Sequence, residues 1–562
     1  MQNLYTDTRV LDRAAVSRFG LTEDILMENA ASALESEVVR ACTDRAADIR
    51  VNCSPVSECR VLIVAGGGDN GGDGWALARR LNGRTAAGFS CSVAVLEVVA
   101  PKSQACMRQA ERARSAGVPV IPNFSRTDLI KNYHLIVDCI FGSGFHGSLS
   151  AQIEKLIAAL NKADCFKIAC DVPSGIDSKG CGTTAFCADI TVCMGALKTA
   201  LFSDFAKNHT GKIITAPLGV SSALFESGGK SGKDAEAAES AQISAAAEPV
   251  APAAFGSEMP AAFLLEASDM RLPERFLPSV HKGDFGHAAV YTGEKPGAGI
   301  IAACAAFRCG AGLVSLVSST GQSAPAVKAG QNALPPYTIP PYLMQSSSLP
   351  EKASAVAAGM GFGRNDAQGA AERAAELFAL LNEKRKLSCV LDADLFYHAD
   401  IKQVLKARPS GLVLTPHPKE FQSLFALCGL GTVSVEQIVE NRLELVKDFC
   451  STYPGAVLLL KGANMTIGYC PEKGGKKIAG KNEVYINTFG MPCLAKGGSG
   501  DVLAGLVCAF IAQKYEPLDA AIQGSLLLAA SSRLQKSSYS STPFTLIQSL
   551  EEPEKLKKAL EG

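Results

Sequence analysis

The segment Lys496-Gly-Gly-Ser-Gly-Asp-Val-Leu-Ala-Gly-Leu506 joins a glycine-rich loop to the start of a long apolar helix. Its glycines leave backbone N–H groups free to surround an anion, and the helix dipole adds partial positive charge at that point. Asp501 falls in the first helical turn, where a carboxylate is also stabilised for structural reasons alone. A hydroxyl group deprotonated by Asp501 would meet a phosphoryl group held by residues 497–501, an arrangement that suits phosphoryl transfer. The segment therefore predicts a phosphate-handling enzyme.

Strand-like runs alternate with helical patterns throughout the second part of the chain, from about residue 263 to residue 562. This alternation predicts a parallel sheet covered by helices, and ligands of such sheets bind beyond the carboxyl ends of the strands. His417 and Lys461 each follow a strand-like run, so we expect both at the same edge as Asp501. A single loop histidine is usually structural, although flanking prolines would hold His417 rigidly, whereas a lysine at a strand end suits a phosphate. The strand-like runs are 287–292, 312–318, 353–358, 388–392, 411–414, 457–460 and 484–487.

The first part of the chain, about residues 1–220, shows the same alternation and a second glycine-rich segment, Gly66-Gly-Gly-Asp-Asn-Gly-Gly-Asp-Gly74. Six glycines in nine positions fit a tight strand-to-helix turn and, equally, a backbone that approaches a ligand closely. The spacing matches neither the dinucleotide fingerprint nor the Walker phosphate loop. We expect an apolar helix to begin after this segment, at Trp75. The strand-like runs are 60–65, 91–98, 134–141, 166–170, 189–194 and 212–216.

Polar side chains follow several of these runs at the point where the strand ends. Asp138 and Asp171 each end an apolar run, and Asn70 and Ser174 lie in the loops that follow neighbouring runs, so all four are expected at one edge of the sheet. A carboxylate at the end of an apolar strand needs a partner. Loop N–H groups are one candidate. A hard cation is the other, because hydroxyl, amide and carboxylate oxygens are suitable ligands for it.

The composition gives no indication of a general electrostatic attraction to nucleic acid or to an anionic membrane, because 55 Lys and Arg balance 55 Asp and Glu over 562 residues. No apolar run reaches the roughly 20 residues of a membrane-spanning helix, and residues 1–9 lack the core of a signal peptide. The 19 cysteines include no Cys-x-x-Cys pair, so we expect buried reduced thiols rather than a disulfide framework or a zinc site. These features predict a cytoplasmic protein with neither nucleic-acid nor membrane partners. Residues 221–262 are rich in Ala, Ser, Glu and Gly and predict a flexible linker between two domains.

The first part of the chain resembles the NAD(P)HX epimerase domain in four segments that occur in the same order. They are Leu26-Met-Glu-Asn-Ala30, Gly68-Asp-Asn-Gly-Gly-Asp-Gly74, Phe141-Gly-Ser-Gly144 after Asp138, and Asp171-Val-Pro-Ser-Gly-Ile-Asp177. The resemblance implies a Rossmann-like parallel-sheet domain over residues 1–220 that interconverts the R and S hydrates of NADH and NADPH and binds potassium. By position, Asn70, Asp138 and Ser174 would hold the potassium ion, and Asp171 would transfer a proton at the C6 hydrate centre. The implied substrate contacts are Asp69, Asn70, Gly71, Gly72, Asp73, Gly142, Ser143, Gly144, Phe145, His146, Gly147, Ser148 and Asp171.

The second part, residues 263–562, resembles the ribokinase-like ADP/ATP-dependent NAD(P)HX dehydratases. The similarity is carried by His281-Lys-Gly-Asp-Phe-Gly286, Thr415-Pro-His-Pro-Lys-Glu420, Lys461-Gly-Ala-Asn-Met465 and the segment that ends at Asp501. It implies a ribokinase-like α/β domain that removes water from the S hydrate, with Mg²⁺ and ADP or ATP. Asp501 would deprotonate the C6 hydroxyl, phosphorylation would make it a leaving group, and elimination would restore the nicotinamide ring. The implied contacts are Ala298, Gly361, His417 and Asp501 for the hydrated nucleotide, and Lys461, Gly462, Ala463, Asn464, Met465 and Gly500 for the adenine nucleotide.

Two positions depart from the family patterns. Asp69 stands where Asn is usual, and an extra carboxylate there would repel a ligand diphosphate. Lys419 stands where Gly is usual, and it would be strained if the backbone needs a positive φ at that position.

Two alternatives stay open at this point. The chain is also compatible with a ribokinase-like kinase of a small molecule such as a vitamin alcohol, joined to a first domain that only binds. A first domain of this fold also mediates dimerisation in mRNA-decapping scaffold proteins, although retention of Asn70, Asp138, Asp171 and Ser174 favours activity. The sequence leaves open ADP against ATP as donor, the preference between NADHX and NADPHX, and whether the chain forms a homo-oligomer.

Overall fold

The computed structural model describes residues 1–561 except 51–57, 87–88, 123–126, 228–258, 276, 319–338, 365–368, 409, 474–475 and 479–480. The chain divides into two compact units. One is Asn3–Ala261, and the other is Ala262–Gly562 together with Met1–Gln2.

The first unit is a mainly parallel sheet with helices on both faces. Successive side chains of the strand Glu58–Ala65 point to opposite faces, so Val61 and Ile63 enter one apolar core while Leu62 and Val64 enter the other. In sheet order the strands are Thr85–Ala86, Phe89–Glu97, Glu58–Ala65, Leu135–Cys139, Phe166–Cys170, Ile190–Met194 and Lys212–Ala216, and Val120–Ile121 pairs with Phe89–Glu97. The helices are Arg9–Phe19, Glu23–Arg50, Asp69–Leu81, Gln104–Ser115, Ala151–Lys162 and Ser222–Glu226.

The predicted α/β fold class and the strand-like runs of this unit are confirmed, but the predicted helix start at Trp75 is wrong. The helix begins at Asp69, inside the glycine-rich segment. A Cβ atom on Gly71 would lie 2.0 Å from the Gly66 carbonyl oxygen, and one on Gly74 would lie 2.8 Å from the Cys139 Cβ. These glycines therefore allow the first helical turns to pack directly on the sheet, a close approach that a sequence pattern does not distinguish from a loop.

The second unit is a larger sheet in which most strands run parallel, and its central helix is Ser499–Ala512. Residues 502–512 of this helix are all buried, as expected of a helix that is apolar on every side. A Cβ atom on Gly505 would lie 2.1 Å from the carbonyl oxygen of Ala302, so Gly505 allows the helix Pro296–Arg308 to pack closely beside it.

The strands of the second unit bring its predicted site residues to one edge. Met465–Tyr469 runs antiparallel to both of its neighbours, and the other paired strands of this unit's sheet run parallel. In sheet order they are Ala262–Leu264, Glu483–Asn487, Met465–Tyr469, Val457–Leu460, Leu412–Leu414, Ser388–Leu391, Ala355–Ala358, His287–Thr292, Leu313–Ser318 and Met344–Ser346. The other helices are Ala370–Glu383, Ile401–Ala407, Pro418–Leu427, Val435–Glu440, Arg442–Thr452, Pro517–Arg533, Pro543–Gln548 and Pro553–Glu561.

The predicted linker, residues 221–262, is too long at its amino end. Residues 228–258 lie outside the described residues. Before them, however, Ser221 caps the short helix Ser222–Glu226, and the Phe225 side chain of this helix is 3% exposed within the core of the first unit. Burial of Phe225, together with hydrogen bonds from Asn3 and Tyr5 to Glu226 and from Arg18 to Ser227, joins this segment to the first unit, although its average composition predicts a linker.

The expectation of reduced cysteines is wrong for one pair. Cys42, from the helix Glu23–Arg50, forms a disulfide with Cys59 on the strand Glu58–Ala65. This helix and strand share one apolar core, which brings the two Cα atoms to 6.3 Å. The other cysteines that the structure describes are free.

Within the described parts of the chain, no helix combines the length and the apolar character that crossing a membrane requires.

Candidate active sites

Asp171 lies directly after the strand Phe166–Cys170, with a left-handed φ of 65°. This conformation is uncommon for a residue other than glycine and typically persists at functional sites where surrounding contacts hold it. One carboxylate oxygen, Oδ1, accepts a hydrogen bond from the Met194 N–H at 3.2 Å and lies 2.6 Å from the Lys198 ammonium. The other oxygen, Oδ2, accepts the Ser143 N–H at 3.1 Å. The carboxylate is thus fixed at the carboxyl edge of the sheet.

Asp171 is ionised in this setting. Burial opposes ionisation, but the Lys198 ammonium and the hydrogen bond from Ser143 outweigh it and lower the pKa of Asp171 below its ordinary value. Its neighbour Asp73 behaves in the opposite way, because burial and the charges of Asp171 and Asp69 raise the pKa of Asp73 well above its usual range. The ionised Asp171 carboxylate therefore lies close to a second carboxyl group, Asp73, whose pKa is raised.

The three residues predicted to hold a cation come together beside Asp171. Asp138 is fully buried, and it accepts hydrogen bonds from the Ser174 hydroxyl at 2.7 Å and the Ser174 N–H at 2.8 Å. The Asn70 amide donates to the Phe141 carbonyl oxygen at 2.8 Å. A Cβ atom on Gly142 would lie 3.2 Å from both Asn70 Oδ1 and Asp171 Oδ2, so this glycine lets the two groups of residues adjoin.

The chemistry of these oxygens fits a hard cation. In the described part of the chain, Asp138 receives hydrogen bonds only from neutral groups, and burial raises its pKa to about 6 despite the bonds from Ser174. A bound cation would compensate a buried carboxylate of this kind. Amide, hydroxyl, carboxylate and carbonyl oxygens from Asn70, Ser174, Asp138 and Phe141 supply suitable ligands.

The other predicted substrate contacts of this unit fall into two groups. Gly71 and Gly72 are buried, and Gly72 packs against Met27, whereas Asp69 is exposed in the first helical turn, where the helix dipole stabilises its charge. In the loop after Phe141, the Phe145 ring lies 4.9 Å from the Phe141 ring. The exposed residues of that loop are Gly144, His146, Gly147 and Ser148.

The second site is built around the Lys461 ammonium, which follows the strand Val457–Leu460. Its Nζ lies 2.9 Å from Asp392 Oδ1 and 3.6 Å from Glu420 Oε2. Asp392 also accepts a hydrogen bond from the Thr415 hydroxyl at 2.8 Å. A Cβ atom on Gly500 would lie 3.3 Å from Lys461 Nζ, so the glycine lets the ammonium approach the amino end of the helix Ser499–Ala512.

Asp501 lies in the first turn of this helix, as predicted. Burial, followed by the charge of Asp392, raises the pKa of Asp501 to about 7, although Lys461 acts in the opposite direction. A carboxyl group whose pKa lies near neutrality is well matched to general base catalysis. The preceding Gly498 has a left-handed φ of 94°, which turns the loop into the helix.

His417 caps the helix Pro418–Leu427. Its Nδ1 accepts the Glu420 N–H at 3.2 Å, while its Nε2 lies 3.0 Å from Glu420 Oε1. The imidazole is 44% exposed, so it is held firmly and still faces outward. Lys419 lies inside this helix and does not have a positive φ, so the strain considered for it does not arise.

The remaining predicted contacts of the second unit are placed as follows. A Cβ atom on Gly361, whose φ is 60°, would lie 3.3 Å from the Ala298 Cβ, so these two residues adjoin. Beyond Lys461, Gly462 and Ala463 are exposed. Asn464 and Met465 are buried, and the Asn464 carbonyl oxygen accepts a hydrogen bond from Arg442 at 2.7 Å.

Three residues of these sites were missed in the sequence. Asp392 directly follows the strand Ser388–Leu391, so the strand-end rule that found Asp138 and Asp171 would also have found it. Glu420 stands inside a quoted motif without a role of its own. Lys198 comes four residues after the strand Ile190–Met194, and no local pattern marks it.

Comparisons with known proteins match a family model to each of the two units. Residues 289–552 match the NAD(P)H-hydrate dehydratase family, and residues 23–200 match the YjeF-related protein N-terminus family. The chain is 38% identical to the bifunctional NAD(P)H-hydrate repair enzyme Nnr of Helicobacter pylori, over 98% of this chain and 100% of that protein. It is 30% identical to the enzyme of the same name from Coxiella burnetii, over 83% of each. An ADP/ATP-dependent NAD(P)H-hydrate dehydratase from Bacillus subtilis, co-crystallised with ATP and Mg²⁺, is 22% identical over 51% of this chain and 94% of that chain, with a TM-score of 0.37.

Fold and relatives together define a two-unit α/β enzyme. The chain belongs to the family of bifunctional NAD(P)H-hydrate repair enzymes. Its function is the repair of hydrated nicotinamide cofactors: an epimerase activity interconverts the R and S hydrates, and a dehydratase activity returns the S hydrate to NAD(P)H. The predicted enzyme class is thereby confirmed. The two alternative functions, a small-molecule kinase and a scaffold, are therefore set aside.

Proposed function

We propose that Asp171 transfers the proton at C6 during epimerisation and that Asp501 is the base of dehydration. One observation supports both assignments: each is a carboxylate at the carboxyl edge of its sheet, with a lysine among its charged neighbours, the buried Lys198 or the partly buried Lys461. We assign epimerisation to residues 1–220 and dehydration to residues 263–562, with residues 221–262 between them. Apart from the Cys42–Cys59 disulfide, the described cysteines are free thiols, which is in keeping with a cytoplasmic location.

In the epimerase, we assign substrate contact to the first turn of the helix Asp69–Leu81 and to the loop of residues 142–148. Free N–H groups at a helix amino end suit a diphosphate. Asn70, Asp138 and Ser174 would hold a potassium ion, whose charge would offset the buried Asp138 carboxylate and attract the anionic substrate.

The potassium assignment predicts a cation requirement confined to one activity. When potassium is replaced by tetramethylammonium at equal ionic strength, the R-to-S rate should fall by about tenfold or more, because metal removal costs charge stabilisation worth several kcal/mol. Dehydration of purified S hydrate in the same samples should change by less than about twofold. Equal epimerase rates in the two salts would contradict the assignment. An Asp138→Asn variant, whose rate should no longer respond to potassium, is the matched control.

In the dehydratase, Asp501 would take the proton of the C6 hydroxyl, and the resulting oxygen would attack the terminal phosphorus of the nucleotide. This attack breaks the bond between the terminal phosphorus and its bridging oxygen and releases ADP. The C6–O bond then breaks, phosphate leaves with that oxygen and C5 loses a proton, so that the S hydrate and ATP yield NAD(P)H, ADP, phosphate and a proton. Lys461 and the N–H groups at Gly498 and Gly500 would hold the transferring phosphoryl group.

The nucleotide site fits a magnesium-bound phosphate chain better than a free polyanion. Asp392, Glu420 and Asp501 bring three carboxylates to a single ammonium, Lys461. A free triphosphate would meet an excess of negative charge there, whereas Mg²⁺ would neutralise part of that charge. We assign Mg²⁺ with ADP or ATP as the phosphate donor.

The donor is tested by a repair assay on the full chain with purified S hydrate. We expect recovery of NADH absorbance only when Mg²⁺ and ADP or ATP are both present, with release of one phosphate per NADH formed. Each nucleotide is supplied separately, and a non-hydrolysable ATP analogue is the control. Failure to recover NADH with either nucleotide would refute the proposed chemistry.

A further inference from the structure

Lys198 is a buried lysine beside Asp171 that the proposed proton transfer does not use. Its side chain is 3% exposed, and its Nζ lies 2.6 Å from Asp171 Oδ1. The ammonium also donates hydrogen bonds to the carbonyl oxygens of Met194 at 2.8 Å and Ala196 at 3.3 Å. Because its three protons face protein acceptors and the group is closed to solvent, Lys198 does not contact a substrate.

The two oxygens of Asp171 have different surroundings. Oδ1 is occupied by the Lys198 ammonium and the Met194 N–H. Oδ2 accepts the Ser143 N–H and lies 3.2 Å from the point where a Cβ atom on Gly142 would stand, and the Ser143 side chain also hydrogen-bonds to the carboxylate. Since a carboxylate offers about four lone-pair sites, Oδ2 keeps the capacity to receive a substrate proton.

Around the Lys198 ammonium, each neighbouring element that carries a titratable group contributes an acidic or weakly acidic one. Asp171 follows one strand, and Asp12 comes from the helix Arg9–Phe19. Cys193, on the strand Ile190–Met194, lies 3.6 Å from Nζ, and Asp73 faces Asp171 from the helix Asp69–Leu81. Removing the lysine would leave these acids without their buried cation.

We propose that Lys198 is a positioning residue for epimerisation, whose ammonium holds Asp171 Oδ1 so that Oδ2 faces the reacting C6 centre as a carboxylate. This inference rests on the proposed role of Asp171. Fixing a catalytic group by a neighbour that is itself held by packing is what preorganised sites require. The lysine acts through Asp171 and therefore sets the turnover rate rather than substrate affinity.

The backbone around Lys198 is held independently of its side chain. Tyr5 donates its N–H to the Leu197 carbonyl oxygen at 2.9 Å, and its own carbonyl oxygen accepts the Thr199 N–H at 2.9 Å. These two bonds hold the residues on either side of Lys198, which are Leu197 and Thr199. Replacing the side chain should therefore leave the peptide in place.

The test uses the full chain and measures kcat and KM for conversion of R to S hydrate. Lys198→Ala should lower kcat by about 100-fold, the scale expected when a positioned charge is lost, and should leave KM within about twofold. Added ethylammonium should restore activity to Lys198→Ala, and Lys198→Arg should retain more activity than the alanine variant. Ethylammonium should have no effect on wild type or on Lys155→Ala, which removes an exposed lysine from the helix Ala151–Lys162.

The outcomes distinguish a failure of the positioning role of Lys198 from a failure of the proposed role of Asp171. If Lys198→Ala keeps the wild-type kcat, or if its loss of kcat is restored by neither ethylammonium nor arginine, the positioning role is wrong. If Asp171→Asn epimerises normally, the proposed role of Asp171 fails whatever Lys198 does. Thermal unfolding monitors the fold, and Lys198→Met, which keeps the length of the side chain, replaces the alanine variant if that variant does not fold.

Discussion

Asp501→Asn should abolish dehydration while leaving epimerisation unchanged. The asparagine keeps the size of the side chain and removes the base, so kcat for the S hydrate should fall by about 10³-fold, within the range for a lost general base. The fall in kcat is measured from the rate at which NADH is recovered from purified S hydrate. Nucleotide binding, followed by calorimetry, should change little, because the N–H groups and Lys461 remain.

The rival explanation for Asp501 is that its carboxylate merely stabilises the amino end of a helix. Asp519 provides a matched control, since it is an exposed acid in the first turn of the helix Pro517–Arg533. Asp519→Asn should leave the dehydration rate unchanged. A similar loss in both variants, or a normal rate in Asp501→Asn, would remove Asp501 from the mechanism.

The pH dependence of the wild-type dehydratase follows from the same residue. The pKa of Asp501 is raised to about 7, and the base must be ionised to act, so kcat/KM should fall as pH drops below that value. The residual activity of Asp501→Asn should lack this acidic fall.

Asp171→Asn should abolish the acceleration of R-to-S conversion and leave dehydration of the S hydrate intact. The substitution removes the ionised oxygen that would receive the proton and also the charge that Lys198 faces. We expect a fall in epimerase kcat of at least about 10²-fold, the lower end of the range for a lost acid–base group. Chromatography of the two epimers, corrected for conversion without enzyme, measures it.

The control for Asp171 must show that the fold survives. Asp164→Asn changes an exposed acid that precedes the strand Phe166–Cys170 and should epimerise like wild type. Dehydration by the Asp171→Asn chain reports on the second unit, and thermal unfolding reports on the first. An Asp171→Asn variant that epimerises at the wild-type rate would show that the proton is transferred elsewhere.

Much of both sites could be predicted from the sequence, because the carboxyl ends of parallel strands lie at the same edge of a sheet. Asp138 and Asp171 stand directly after apolar runs, and the structure brings them beside Asn70 and Ser174 as that rule predicts. The glycine-rich segment before Trp75 was harder to interpret. Its glycines serve close packing of a helix on the sheet, and this depends on partners such as Cys139 that lie far away in the chain.

The residues that escaped prediction are those defined by a partner distant in the sequence. Lys198 is recognisable only once Asp171 lies 2.6 Å from its ammonium. Asp392 and Glu420 acquire a role because Lys461, which follows another strand, places its ammonium near both carboxylates. Likewise, Phe225 is ordered by a core assembled from several elements, which composition averaged over residues 221–262 does not reveal.

The central claim is that two separate carboxylates act in sequence on one damaged cofactor. The most direct test supplies purified R hydrate with Mg²⁺ and nucleotide and follows NADH. We predict full recovery by the wild-type chain, no recovery above the uncatalysed rate by Asp171→Asn or Asp501→Asn alone, and full recovery when these two variants are mixed. Recovery from R hydrate by Asp171→Asn at the wild-type rate, or failure of the mixture, would contradict it.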